Sequence, residues 1–416
     1  MDKKKIIFGA GVVALLVLIS FGSGMFTKKE EEKKPEGKTE EPMFVDKIKE
    51  QFKLIPICPE NLSGILTSPL IEPEYISSIT PLGNLSPPGH TSPVDHSYFS
   101  TYYKEKIPLY APADSWITQI TEISLKNSSG DYIPKGYVVQ YTVCKGLVLD
   151  FANYTELSES LTKELKETES NDCERDIEKP GHGYIEGQCH YRVSIPIKSG
   201  DLVGYTIVNE EGILPFEIWA ANYNVPARSD VNWDYYQDNR YAHSLCTFDL
   251  YSGEMKDAYY KKFGFSDNKI KDSFVPRTVQ PLCGQVNQNI ANTIQGMWFG
   301  EEPKKDGGSI EFDGKGLAFV HDNIDPTTAN LSIGGTLMSP GVIQFKPKHT
   351  GIIDREFSEV KADGNIYCYN SPGTWRQKDI GKLLVQLVNN EMVKVEYQKG
   401  VCDSSEKFIT PVAYQR

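Results

Sequence analysis

His90, Asp95 and His96 fall within seven residues, in the stretch Pro88-Gly89-His90-Thr91-Ser92-Pro93-Val94-Asp95-His96. Two imidazoles and a carboxylate can offer nitrogen and oxygen to one divalent cation, and zinc is the first candidate for that donor set. His182 or His190 could complete it, and Glu217 would then be the acid or base acting on a metal-bound water. The plainer reading is structural: the two histidines order a loop by hydrogen bonds while Asp95 caps a turn. No cofactor other than this zinc is called for. The chain has no G-x-S-x-G, P-loop, dinucleotide fingerprint or H-E-x-x-H.

A second candidate is aromatic. The loop over 220–243 holds Trp233, Tyr235 and Tyr236 among several asparagines, with Trp219 at its edge. Flat rings stack on sugar faces and amides bond hydroxyls, so these four side chains are the ligand-binding candidates for a glycan or peptide. The alternative is an ordinary long loop pinned by aromatic burial.

The elements around these residues read as strands. Short β-type runs at Trp116 to Ile123, Tyr137 to Val143, His190 to Ile197 and Leu202 to Val208 are separated by turn residues. An insertion over about 155–189 breaks the pattern: Thr155 can cap a helix carrying Leu157, Leu161 and Leu165, which ends in a polar surface stretch. Lys256 to Asp272 reads as a short helix or turn region. From 284 to 416 regular strands follow at Ser309 to Phe312, Leu317 to His321, Ala329 to Ile333, Gly341 to Phe345, Asn365 to Tyr369, Leu383 to Leu387 and Met392 to Tyr397. That spacing predicts a small β-barrel or sandwich. Its opening, Gly296-Met297-Trp298, resembles the G-x-W start of lipocalin-type barrels.

Residues about 80–222 resemble the lysostaphin-like zinc peptidases, the M23 family built on the duplicated hybrid motif. Pro108 to Ile117 looks like that family's V-x-A-x-x-D/G-G-x-V element, and Gly136 to Tyr141 like its G-x-x-V-x-I strand. Ile197-Lys198-Ser199-Gly200-Asp201-Leu202-Val203-Gly204 is similar to its V-x-x-G-D-x-I-G turn, and Leu214 to Ile218 falls where the family carries H-x-H-F-E. The two histidines of H-x-H correspond to Ile213 and Pro215, and Asn153 stands where a histidine is usual. His90 to Asp95 is also one residue longer than the family's H-x-G-x-D spacing. The resemblance therefore implies a peptidase fold kept without its chemistry, more a pseudoenzyme than an enzyme.

The amino-terminal region places the chain in the cell. Lys3, Lys4 and Lys5 precede the uncharged run Ile6 to Phe26, whose length at about 1.5 Å per residue matches a bilayer core of roughly 30 Å. The positive-inside rule then predicts residues 1–5 in the cytoplasm, a transmembrane anchor over 6–26 and everything beyond it outside. A signal peptide cleaved near Gly24 is the alternative. Residues 27–43, dense in Lys and Glu, read as a solvated stalk. A short amphipathic helix with Phe44, Val45, Ile48 and Phe52 opens the folded part.

Eight cysteines, Cys58, Cys144, Cys173, Cys189, Cys246, Cys283, Cys368 and Cys402, are scattered without a C-x-x-C pair and read as disulfides outside the cytoplasm. Cys173 with Cys189 and Cys368 with Cys402 would each close a loop within one domain. Sequons at Asn61, Asn84, Asn127, Asn153 and Asn330 are glycosylation candidates. A net charge of −12 argues against nucleic acid as a partner.

The expectation is a mainly β, single-pass membrane protein: a duplicated-hybrid-motif-like domain over 44–283, then a barrel-like domain over 284–416. Its work would be non-catalytic binding or structure, with a cell-surface glycan, peptide or protein as partner. The alternatives are a zinc hydrolase of cell-wall or peptide substrates and a subunit of a cell-surface assembly.

Overall fold

The computed structural model describes residues 52–103, 105–168, 170, 172–178, 185–207, 216–227, 240–266, 273–300, 315–371 and 381–416. The expected span over 6–26, the stalk, the helix from Phe44 apart from its last residue Phe52, and the strand at Ser309 to Phe312 lie outside these. Among the described residues no helix is long and apolar enough to cross a membrane. The described residues are mainly β, with 46% of them in strands and 11% in helices.

Among the described residues thirteen strands make the first part: β1 (Ser78–Thr80), β2 (His96–Ser100), β3 (Lys106–Tyr110), β4 (Ser115–Lys126), β5 (Tyr132–Cys144), β6 (Leu147–Tyr154), β7 (Glu156–Leu157), β8 (Asp172–Glu178), β9 (Ile185–Ile197), β10 (Leu202–Ile207), β11 (Phe216–Asn222), β12 (Gly264–Phe265) and β13 (Val275–Pro276). Eight of them form one sheet in the order β1-β2-β11-β6-β5-β4-β9-β8, while β3-β10-β7 and β12-β13 form smaller ones. Successive side chains of a strand face opposite sides, and here the two sides differ in kind. Phe216, Ile218 and Ala220 of β11, Leu147, Leu149 and Phe151 of β6, and Val139, Tyr141 and Val143 of β5 enter one apolar core. The residues between them, such as Glu217, Asp150 and Gln140, face the other way and are still buried.

Pro108 to Ala111 and the turn at Lys198 to Asp201, both quoted for the peptidase resemblance, meet in space. β10 pairs with β3, Gly200 N–H donates to the Ala111 carbonyl at 2.8 Å and Ala111 N–H to the Asp201 carbonyl at 2.9 Å.

The insertion differs from expectation in two places. Helix α1 (Glu159–Glu167) is capped by Ser158, whose Oγ accepts from Leu161 N–H, not by Thr155. Thr155 is displaced from the helix because β7 intervenes and pairs with β10. The polar stretch beyond α1 is an edge strand, β8, hydrogen-bonded to β9 and tied to it by the Cys173–Cys189 disulfide. Helices α2 (Arg240–His243) and α3 (Gly253–Tyr260) follow β11.

Among the described residues eight strands follow: β14 (Gly296–Phe299), β15 (Gly316–His321), β16 (Ala329–Ile333), β17 (Gly341–Phe345), β18 (Tyr367–Ser371), β19 (Gly381–Asn389), β20 (Met392–Lys399) and β21 (Val412–Gln415). Their order, β17-β16-β15-β14-β21-β20-β19-β18, makes a nearly closed barrel-like sheet. At the seam Phe357 packs its ring 5.5 Å from Phe345 of β17 and 5.4 Å from Tyr369 of β18, so side chains bridge the two edges. Trp298 is fully buried in the barrel core. Its Nε1–H donates to the Ile294 carbonyl at 2.8 Å, and the Arg416 guanidinium lies 4.1 Å from its ring centre.

The two parts are welded through β14. Trp298 belongs to the barrel core, while Met297 and Phe299, pointing the other way, belong to the core of the first sheet. All four disulfides form: Cys58–Cys144, Cys173–Cys189, Cys246–Cys283 and Cys368–Cys402. Four such bonds speak for folding in an oxidising compartment outside the cytoplasm.

Candidate functional site

The register of the large sheet aligns its buried polar side chains in rows. His96 of β2 lies opposite Trp219 of β11, Trp219 opposite Asp150 of β6, and Asp150 opposite Gln140 of β5. The next row carries Tyr98, Glu217 and Ala152. The loop before β2 adds His90 and Asp95, and α2 adds Arg240. Each of these residues is more than nine-tenths buried.

His96 is fully engaged. Its Nδ1 lies 3.0 Å from Asp95 Oδ1 and its Nε2 2.7 Å from the Tyr98 hydroxyl. Burial lowers the His96 pKa, with Asp95 opposing it, so the ring is neutral at pH 7. Burial would raise the Asp95 pKa, but the hydrogen bond from His96 and the charge of Arg240 bring it below the usual carboxylate range. An ionised carboxylate only accepts, so Nδ1 carries the proton and Nε2 accepts from Tyr98. Neither nitrogen then has a lone pair left for a metal. The ring is packed 4.5 Å from Trp219 and 5.3 Å from His90.

Beside it, Asp150 accepts from Arg240 Nη1 at 3.2 Å and from Gln140 Nε2 at 3.0 Å. Gln140 in turn accepts from Thr118 Oγ1 at 3.0 Å. Arg240 also lies 5.4 Å from the Trp219 ring. Glu217 is 1% exposed. Burial, opposed by Lys135 and reinforced by Asp95 and Glu186, holds its pKa well above the usual carboxylate range. Glu217 Oε1 and Asp95 Oδ2 have no hydrogen-bond partner among the described residues.

The sequence-predicted residues are thus partly brought together. His90, Asp95, His96 and Glu217 share one buried cluster, but the first three do not converge as a metal set. Among the described residues the only group of three or more His, Cys, Asp or Glu with ligand atoms within 4.8 Å of one another is Cys368, Cys402 and Glu406, and its cysteines are joined in a disulfide. His190 cannot complete a set with His96. It sits on β9, five strands from β2 in the sheet order, or about 24 Å at the usual strand spacing, and its Nδ1 pairs with Thr121 Oγ1 at 3.0 Å.

Trp219 differs from expectation as a stacking platform, because it is 4% exposed and wedged between His96 and Arg240. Trp233, Tyr235, Tyr236, His182, Ile213 and Pro215 lie outside the described residues. Asn153, at the position of a usual family histidine, is buried with φ 70° and accepts at its backbone carbonyl from Thr206 Oγ1. Sequence reasoning missed Tyr98, Asp150 and Arg240. The signal for Asp150 was a lone acid at an alternating position in Leu147-Val148-Leu149-Asp150-Phe151.

No family model matches the chain, and neither a curated protein nor a solved structure matches it.

Proposed function

We propose that this is a non-catalytic, extracytoplasmic binding or structural protein, anchored by its amino-terminal span and built on a lysostaphin-like scaffold that has lost its peptidase chemistry. One observation carries the reading: His96 has both ring nitrogens committed, to Asp95 and to Tyr98, inside a cluster closed to solvent. A hydrolytic zinc needs converging ligand lone pairs and an open position for water, and among the described residues His90, Asp95 and His96 do not converge as such a set. The four disulfides support the compartment. The meeting of Pro108 to Ala111 with the Lys198 to Asp201 turn supports the scaffold. A cell-surface glycan, peptide or protein is the partner class.

Metal analysis by mass spectrometry of the secreted, disulfide-intact chain tests this, alongside a His90→Ala, Asp95→Ala variant. The expected result is no stoichiometric metal in either protein. About one zinc per chain, lost in the variant, would overturn the reading in favour of a hydrolase.

A further inference from the structure

Tyr367 and Tyr369 of β18 and Leu383 and Val385 of β19 point into the barrel core, so Cys368, Asn370 and Lys382 of the same strands point outward. There the segment 401–411 crosses them as a strap. The Cys368–Cys402 disulfide ties it down at one end, and toward the other Glu396 Oε2 accepts from Ile409 and Thr410 N–H at 2.7 and 3.1 Å. Under the strap Lys382 is 8% exposed and the Glu406 side chain 3%. Lys382 Nζ lies 2.7 and 2.6 Å from the two Glu406 oxygens. A buried ion pair is by itself weak evidence for stability, because desolvation offsets much of its attraction.

The groups around this pair are those of an acyl transfer. Asn370 is the direct cross-strand partner of Lys382, which sets their Cβ atoms about 5 Å apart on one face, within reach of the flexible lysine stem. Both ends of the Asn370 amide are fixed. Its Oδ1 accepts from Cys402 N–H at 3.0 Å, and its Nδ2 lies 3.5 and 3.4 Å from the two Asp354 oxygens. The next N–H of the strap, that of Asp403, donates to Glu406 Oε1 at 2.8 Å. Consecutive backbone amides therefore hold the Asn370 carbonyl and the Glu406 carboxylate. Cys368 Sγ lies 3.6 Å from the same Oε1 and is fully buried, so the disulfide helps to keep water out. An amine nucleophile, a carboxylate to carry its protons and an N–H on the oxygen where charge develops are thus gathered by the fold.

We propose that Lys382 and Asn370 become joined by an isopeptide bond that the folded chain forms itself, stapling β18, the last strand of the barrel order, to β19. Lys382 gives one proton to Glu406, its neutral Nζ adds to Asn370 Cγ, and Cys402 N–H stabilises the oxyanion. A second Nζ proton follows through Glu406, the Cγ–Nδ2 bond breaks, and Nδ2 leaves with both protons as ammonium. Glu406 ends as the carboxylate it began as, and nothing is oxidised or reduced. The inference does not depend on the polar cluster of the large sheet.

Mass spectrometry of the secreted full chain, produced without glycosylation and reduced before measurement, tests it. The expected mass is one ammonia below that of the sequence, and digestion should yield a branched peptide carrying both Asn370 and Lys382. Lys382→Arg keeps a cation for Glu406 and should restore the full mass. Glu406→Gln should leave unbranched chain accumulating, since the proton carrier is worth about a hundredfold or more in rate. Wild-type chain at its full sequence mass, ammonia lost without a branch between these two residues, or a Glu406→Gln chain as branched as the wild type would overturn the inference.

Discussion

Thr91 and Gly316 hold the barrel against the histidine loop: a Cβ added to Gly316 would stand 3.1 Å from the Thr91 Cβ. Thr91 is completely buried, so β15 rests directly on the segment that carries His90 and Asp95. This contact helps to close the polar cluster, and a side chain on Gly316 would require the buried Thr91 to give by a few tenths of an ångström.

Gly316→Val should therefore destabilise the protein by about 1–3 kcal/mol, the usual cost of overpacking. Valine suits a strand intrinsically, so the loss would be steric. Urea unfolding measures it, and an unchanged midpoint would mean that the loop moves aside freely.

Glu217 gives a pH dependence with a definite sign. Its folded pKa is raised, so above about 4.3, the ordinary unfolded value, the folded state keeps a proton that the unfolded state releases. Stability from this group thus falls as pH rises through that window. His96 acts in the opposite sense: its folded pKa is lowered, so stability is lost as pH drops below about 6.5. Glu217→Gln removes the first effect and keeps the second. The stability difference between variant and wild type should grow in favour of the variant as pH rises from about 4.3, and parallel curves in denaturation at a series of pH values would contradict the assignment.

The sharing of β14 predicts that the two parts melt together. Phe299 is 1% exposed and packs into the core of the first sheet, although its strand is hydrogen-bonded into the barrel. Phe299→Ala should cost about 3–5 kcal/mol, and calorimetry should show one transition shifted as a whole. A barrel transition left in place while the rest moves would show that the weld is weaker than the packing implies.

Much of this architecture is legible in the sequence because its strands alternate or run apolar between turn residues. Ala329–Ile333 and Gly341–Phe345 are read to the residue. β8 is not, since Asp-Cys-Glu-Arg-Asp-Ile-Glu carries no apolar alternation and the strand is held by backbone pairing and a disulfide. β14 is visible only as Gly-Met-Trp, because all four of its residues are buried and no polar face marks it as a strand. For the site, proximity in sequence was enough to single out His90, Asp95 and His96. Tyr98, Asp150 and Arg240 join them only through sheet register and a helix 90 residues beyond Asp150, which a pattern read along the chain does not reveal.

The sequons separate by burial. Asn61 is exposed, and its Oδ1 accepts from Ser63 N–H, leaving the side chain at the surface. Asn127 sits in the turn between β4 and β5, where its Oδ1 accepts from Ser129 and Asp131 N–H at 2.9 and 2.8 Å. Asn84 is half-buried. Asn153 and Asn330 depart from their expected role as attachment sites, being 7% and 4% exposed. Asn330 is tied at both ends of its amide, donating to Asp322 Oδ2 at 3.2 Å and accepting from Gln344 Nε2 at 3.1 Å. A glycan there would have to break this network and leave Asp322 short of a donor. Secretion from a glycosylating host followed by glycopeptide mass spectrometry should find occupancy at Asn61 and Asn127 and none at Asn153 or Asn330. Folded, secreted protein carrying a glycan on Asn330 would mean that β16 is not paired as described.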